Sequence, residues 1–116
     1  MKSKLGDKAR LNHILDSISE IEIFFNGIDY EGFISNSMLK FATLKLLEII
    51  GEASNHISID TKILFPQVNW AQIVGLRNVI VHEYFGVDNQ LVWEIVQTDL
   101  PLLKPKIEEI LNLINN

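Results

Sequence analysis

The spacing of apolar side chains is the feature of this sequence that most constrains its fold. Apolar residues recur at steps of three and four over residues 11–25, 39–57, 70–81 and 92–114. This period places them on one face of an α-helix, whereas a half-buried strand would alternate every two residues. Short connections between such helices favour antiparallel neighbours. We therefore predict an all-α fold, an antiparallel bundle of four to five helices, as a single domain over residues 1–116.

Caps and helix breakers set the predicted limits of these helices. The first helix is expected from about Asp7 to Asn26 and the stretch from Ile28 to Asn36 is expected to be a connection. The second helix has an unusually wide apolar arc, which predicts a central helix with neighbours on several sides. N-caps are predicted at Asn36 (or Ser35), Asn69 and Asp88. Residues 60–65 are predicted to form one further helical turn, and Gly86 is predicted to interrupt the helical pattern. Pro101 and Pro105 predict a kink or a break in the last helix near Asp99–Leu102.

Two observations argue for and against a helix through the fourth stretch. Val79, Ile80 and Val81 are consecutive and β-branched, which is compatible with a buried strand. The upstream spacing and the helical context favour a helix. Gly51 and Gly75 lie where helices should continue, at a cost of roughly 1 kcal/mol each relative to alanine. They are either tolerated surface glycines or a place where two helices cross closely.

Composition excludes several classes of function. The chain has no cysteine, so it has neither disulfides nor thiolate metal sites, and it has no cysteine nucleophile. Its three histidines are dispersed and its carboxylates lack ligand spacing, so we expect no metal site and no cofactor. No targeting signal and no apolar stretch long enough for a bilayer is visible, which predicts a cytoplasmic protein without membrane contact. The net charge of −5 argues against coating nucleic acid through bulk charge, but it permits an enzyme with one small basic site.

The segment from Gly75 to Asp88 carries the chemistry. It places Arg77, Asn78, His82 and Tyr84 within eight residues of otherwise apolar sequence. Metal-free RNA cleavage needs a base for the ribose 2′-hydroxyl and a fixed cation for the charge that grows on the phosphorane oxygens. Histidine suits the first role and arginine the second.

Ideal helix geometry constrains how these groups meet. Asn78 and His82 are four residues apart and share one helix face, whereas Arg77 and His82 are separated by roughly 140° around the axis. Arg77 and His82 converge on one phosphate only if the helix loosens before His82 or if two chains pool their motifs. The spacing therefore favours a composite site in a homodimer.

The sequence resembles the HepT-like proteins of the HEPN superfamily, the toxin halves of HepT–MntA toxin–antitoxin pairs. The resemblance covers nearly the whole chain. It is carried by Leu47–Ala53, Trp70, Gly75–Asp88, Val92–Val96 and Asp99–Pro101. The family signature Arg-x4-His-x-Tyr, with a polar residue after the arginine, is present without departure as Arg77, Asn78, His82 and Tyr84.

The resemblance implies a HEPN helical bundle, a homodimer whose motifs face one cleft, and metal-independent endoribonuclease action on tRNA or mRNA. It also implies a partner, an MntA-like nucleotidyltransferase antitoxin that transfers AMP from ATP onto the motif tyrosine, which is Tyr84 here. A tethered phosphate there would compete with substrate phosphate for Arg77.

Structural interpretations remain open for each site residue. Arg77 can pair with Glu52 or Glu83, His82 can be a helix-end histidine, Tyr84 can be a half-buried core residue, and Asn78 can be a cap or a dimer contact. Glu52 either orients Arg77 or lies on its helix without a catalytic role. At the level of function, the alternatives to an RNase are a non-catalytic nucleotide- or RNA-binding partner subunit of a minimal nucleotidyltransferase and a purely structural dimerising bundle.

Overall fold

The structure is a computed structural model that describes the backbone of residues 4–82, 86 and 88–115, and the side chains of this part except those of residues 4–5 and 77–82. The described residues form helices and contain no strand, which confirms the all-α prediction. The helices are α1 (Lys4–Phe24), α2 (Tyr30–Ile34), α3 (Ser37–Asn55), α4 (Ile59–Leu64), α5 (Trp70–His82), α6 (Asn89–Glu94) and α7 (Leu100–Asn115), with a π-helical segment (Ile95–Asp99) between α6 and α7.

Helix α3 is the centre of the bundle, as its wide apolar arc predicts. It packs against α1 on one side and α5 on another, and α1 also packs against α7. The core side chains of these helices are fully or almost fully buried: Leu11, Ile14, Ile18 and Ile21 of α1, Leu44, Leu47 and Ile50 of α3, and Ile107 and Ile110 of α7. The arrangement holds α5 against the central helix α3.

The predicted connection over residues 28–36 is wrong in one respect, because it contains the short helix α2. Asp29 is its N-cap and accepts a hydrogen bond from the Gly32 amide at 2.8 Å. Phe33 is fully buried and packs against Phe25, with ring centroids 5.4 Å apart and ring planes tilted by 40°. The cap and the one buried side chain hold this short helix in place. Its five residues are too few to show a helical period in the sequence.

The ends of the longer helices follow the capping signals. Gly27 adopts φ 76° directly after α1, a left-handed conformation that glycine accepts without a Cβ penalty. The Asn36 side chain accepts from the Leu39 amide at 3.0 Å and begins α3. The predicted turn at 60–65 is α4, which is capped by Ser58.

The last helical region does not break where prolines predict a break. The chain remains helical, and the π-helical segment leads directly into α7. The Leu100 amide donates to the Ile95 carbonyl, five residues earlier. Pro101 directly follows this wider turn, which is one way in which a helix accommodates a local disruption, and Pro105 lies inside α7.

A buried carboxylate joins the N-terminal helix to the start of α4. Asp7 is 2% exposed, and its carboxylate accepts hydrogen bonds from the Ser58 amide at 2.9 Å, the Ser58 hydroxyl at 2.6 Å and the Thr61 hydroxyl at 2.5 Å. Burial by itself would raise the pKa of Asp7, but these hydrogen bonds and the nearby Arg10 charge outweigh it and hold the pKa of Asp7 below its ordinary value. The same Ser58 hydroxyl accepts from the Thr61 amide, so Asp7 fixes the residue that caps α4.

In the part of the chain that the structure describes, no helix has the length and apolar character needed to cross a membrane.

Candidate active site

Helix α5 carries Arg77, Asn78 and His82 on its C-terminal half. Two contacts fix the start of this helix: the Gln72 amide donates to Asn69 Oδ1 at 3.1 Å, and Trp70 Nε1 donates to the Phe65 carbonyl at 3.1 Å. The first contact confirms Asn69 as the N-cap. Trp70 is 7% exposed and belongs to the core.

The backbone stays α-helical through residue 82, so the β-branched run at 79–81 is helical and the strand alternative is excluded. The helix also does not loosen before His82. The backbone positions of Arg77 and His82 therefore keep the separation of an ideal helix, roughly 140° around the axis. Convergence of Arg77 and His82 on one phosphate through a site shared by two chains stays a prediction.

A second anchor lies on the far side of the motif. Asp88 is the N-cap of α6, as predicted, and its carboxylate accepts from the Gln90 amide at 2.8 Å and the Leu91 amide at 3.4 Å. Trp93 of α6 packs on the aromatic cluster of Phe25, Phe33 and Tyr30 at centroid distances of 5.6–6.0 Å. The motif therefore lies between Trp70, which is buried at the start of α5, and Trp93 of α6, which packs on the aromatic cluster.

The predicted site residues are described to different extents. The side chains of Arg77, Asn78 and His82 lie outside the described residues, as does the whole of Tyr84. Their roles and the pairing of Arg77 with Glu52 or Glu83 therefore remain predictions. No group of three or more side chains that could hold a metal ion occurs within the described part of the chain.

Glu52 is described, and it lies on α3, the helix that packs against α5. Its Oε1 lies 3.0 Å from His56 Nε2, one helical turn further along. His56 is the C-terminal cap of α3. The sequence interpretation related Glu52 to Arg77 and not to His56. The spacing of four residues between Glu52 and His56 places both side chains on one helix face and could have predicted their contact.

The two glycines behave differently. Gly51 is buried on α3, which packs against α5, and a close crossing at Gly51 stays a prediction. At Gly75, however, an added Cβ would meet no atom within 4 Å. Close backbone approach therefore does not explain Gly75, which faces open space.

That open space belongs to a groove of about 490 Å³ between α3, α5, α6, the π-helical segment and α7. Its walls are mainly apolar and include Ile50, Ile73, Leu76, Leu91 and Leu103. The groove also contains the side chains of Asp99 and Lys106. Sequence reasoning missed it because its walls are formed by residues from five elements that the fold brings together.

Comparison with known proteins gives consistent results. The family model described as "Ribonuclease HepT-like" matches residues 14–110. A putative RNase of Methanocaldococcus jannaschii is 46% identical over 106 residues, which are 91% of this chain and 97% of that protein. A probable ribonuclease HepT of Thermococcus cleftensis is 39% identical over 107 residues, 92% of this chain and 97% of that protein. A putative RNase of Caldanaerobacter subterraneus subsp. tengcongensis is 35% identical over 101 residues, 87% of this chain and 90% of that protein. No solved structure gives a significant match.

Proposed function

The chain belongs to the HepT-like ribonuclease family and is an RNase of the HEPN type, and from this premise we propose that it is a metal-independent endoribonuclease toxin of a toxin–antitoxin pair. Its substrate is tRNA or mRNA. The motif Arg77, Asn78, His82 cleaves this substrate, and an MntA-like nucleotidyltransferase antitoxin controls the activity through Tyr84.

The proposed reaction is an internal transfer at phosphorus. His82 takes the proton of the ribose 2′-hydroxyl, and the resulting oxygen attacks the adjacent phosphorus while the bond to the 5′-oxygen of the next nucleotide breaks. The leaving oxygen takes a proton from solvent and His82 later returns its proton to solvent, so the products are a cyclic phosphate and a free 5′-hydroxyl. Arg77 offsets the charge on the phosphorane oxygens through its planar fork of donors, and Asn78 supports this arrangement with its amide.

The observation that carries the proposal of a shared site is the unbroken helix α5. The backbone positions of Arg77 and His82 lie roughly 140° apart around the axis of α5. Arg77 of one protomer and His82 of its partner therefore reach one phosphate more readily than the two residues of a single chain. A homodimer with α5 near its two-fold axis provides this arrangement. Glu52 of α3 lies on the helix that supports α5 and orients Arg77 in this scheme.

We place the control of RNA cleavage by the antitoxin at Tyr84, in the same segment as Arg77 and His82. The phenol oxygen of Tyr84 attacks the α-phosphorus of ATP, pyrophosphate leaves, and an AMP group remains on the tyrosine. Tyr84 follows His82 by two residues, so the added phosphate and nucleoside occupy the neighbourhood of the base. The phosphate also competes for Arg77.

The test is cleavage of RNA by the purified protein with and without EDTA, read against His82→Ala. We expect cleavage that survives chelation and is abolished by the substitution, because no other histidine lies near the motif in sequence. His13→Ala is the matched control, since His13 is exposed on α1. Binding of RNA without cleavage by the wild-type protein would favour the non-catalytic partner subunit, and cleavage that needs a divalent ion would contradict the mechanism.

A further inference from the structure

The basic residues of this acidic chain are concentrated at its N-terminal end. The first ten residues contain one acidic residue, Asp7, and four of the ten basic ones, Lys2, Lys4, Lys8 and Arg10. The remaining 106 residues contain six basic residues and fourteen acidic ones. RNA is a polyanion, so the acidic remainder of the protein repels it, whereas a cluster of cations attracts it. The first turns of α1 are therefore the place to look for an RNA contact outside the motif.

The one acidic residue of this stretch does not face solvent. Asp7 is 2% exposed, and its carboxylate is directed at Ser58 and Thr61. The next residue, Lys8, is exposed and forms no ion pair with the part of the chain that the structure describes. Lys4 lies one helical turn before Lys8, and positions four apart share one face of a helix. The solvent side of this turn therefore carries positive charge, whereas the negative charge of Asp7 is turned inward.

The contact of Asp7 with α4 brings a further lysine to the same end of the bundle. The Thr61 hydroxyl donates to the Asp7 carboxylate, and Lys62 directly follows Thr61 on α4, as Lys8 directly follows Asp7 on α1. Lys62 is half-buried, so part of its side chain reaches the surface. Asp60, the acidic residue of α4, lies two positions before Lys62 and roughly 200° around the axis, on the other side of the helix. Two segments that are far apart in the sequence thus each place a lysine beside one buried hydrogen bond.

We propose that Lys8 and Lys62, together with Lys4, form a second RNA contact, the basic end, which binds phosphates of the substrate away from the motif. This inference rests on the RNA substrate proposed above. Lysine suits the role because its ammonium group is a point charge that meets a phosphate in many orientations, whereas the planar fork of Arg77 suits one fixed phosphate. The basic end binds the ground state and the transition state equally, so it lowers KM and leaves kcat unchanged.

The basic end lies on the N-terminal side of α5, whereas the motif lies on its C-terminal half. Helix α4 ends at Leu64, and Trp70 at the start of α5 donates to the carbonyl of Phe65, which follows α4. Arg77 and His82 come seven and twelve residues after Trp70, which is about 10 and 18 Å along the helix axis. An RNA that contacts both the motif and the basic end is therefore longer than the two nucleotides at the cleaved bond, as a tRNA or an mRNA is.

The test is the salt dependence of RNA binding by the full chain, measured by fluorescence anisotropy with a labelled single-stranded 2′-O-methyl RNA. The methyl group blocks the attacking hydroxyl, so the probe stays intact whether or not the protein is a nuclease. Each phosphate contact with a single strand contributes about 0.7 to the slope of log Kd against log salt concentration. The double variant Lys8→Ala, Lys62→Ala should therefore lower this slope by about 1.4 and weaken binding roughly fivefold or more at low salt.

Three further variants separate a phosphate contact from a structural effect. Lys104→Ala is the matched control, because it removes the same charge where Lys104 donates to Glu22, about 21 Å along α1 from Lys8, and it should leave slope and affinity unchanged. The double variant Lys8→Arg, Lys62→Arg keeps both charges and should bind as the wild-type protein does. Lys8→Ala alone should lower the slope by about 0.7 with an unchanged circular dichroism spectrum, since Lys8 is exposed, and it serves as the test if the double alanine variant does not fold.

A wild-type slope and affinity in the alanine variants would overturn the basic end, as would an equal loss in Lys104→Ala or a loss that the double arginine variant shares. RNA cleavage separates this inference from the proposed function, because the double alanine variant should raise KM several-fold and keep kcat within about twofold of the wild-type value. Cleavage with an unchanged KM would overturn the basic end alone. Probe binding that depends on Lys8 and Lys62 in a wild-type protein that cleaves no RNA would support the basic end and overturn the nuclease function alone.

Discussion

Replacement of Asp7 is the substitution whose effect the structure defines best. The carboxylate is buried and accepts three hydrogen bonds, two from Ser58 and one from Thr61. Asp7→Ala leaves the Ser58 amide and two hydroxyls without their acceptor. An unsatisfied buried donor costs about 1–3 kcal/mol, and hydroxyls partly recover by rotating, so we expect a total loss of about 3–5 kcal/mol in the free energy of unfolding.

Chemical denaturation followed by circular dichroism measures this loss. Asp16→Ala is the control, since Asp16 is exposed on the same helix and its removal should change the free energy of unfolding by less than about 0.5 kcal/mol. A loss below about 1 kcal/mol for Asp7→Ala would refute the reasoning, because it would mean that the three donors find other acceptors.

The pH dependence gives a second readout of the same carboxylate. Its pKa is lowered in the folded protein, so its contribution to stability is fully present above the unfolded pKa of about 3.9 and is lost as the pH falls through the lower folded value. The difference in stability between the wild-type protein and Asp7→Ala should therefore be constant near neutrality and shrink below about pH 4. A difference that stays constant down to pH 2 would contradict this account.

The remaining predictions concern the motif. Arg77→Ala should abolish RNA cleavage, and Arg77→Lys should restore little of it, because lysine lacks the bidentate fork of donors. A gel-based cleavage assay measures both variants. Near-wild-type activity of Arg77→Lys would argue against phosphate recognition by the guanidinium fork. Tyr84→Phe should fold normally, accept no AMP and escape neutralisation when the nucleotidyltransferase and ATP are present. Intact-mass measurement after co-expression should show whole AMP increments on the wild-type protein only, and an inhibited wild-type protein without added mass would contradict the role of Tyr84.

The parts of the fold that the sequence predicts are those with enough residues to show a period. The apolar spacing located α1, α3, α5 and α7, and side-chain chemistry located the caps at Asn36, Asn69 and Asp88. Helix α2 was missed because a helix of five residues shows no period. The π-helical segment was missed because a proline predicts a disruption but not how the backbone accommodates it.

Long-range features left no signal in a single sequence. Asp7 meets Ser58 and Thr61 across separations of 51 and 54 residues, and nothing local marks Asp7 as a buried acceptor. The groove likewise depends on how five elements pack. The motif was recognisable because Arg77, Asn78, His82 and Tyr84 lie in one short segment. The sequence alone leaves open whether one chain or two chains complete the site, because that depends on the backbone geometry.

The central claim is that Arg77 of one protomer and His82 of its partner act on the same phosphate. It is tested most directly by mixing Arg77→Ala with His82→Ala chains, refolding them together, and measuring RNA cleavage by the mixture. Each variant alone should be inactive, whereas random pairing through a two-fold interface should give about a quarter of wild-type activity, because half of the dimers are mixed and each has one complete site. A mixture that contains mixed dimers by native mass spectrometry but remains as inactive as its parents would contradict the shared site.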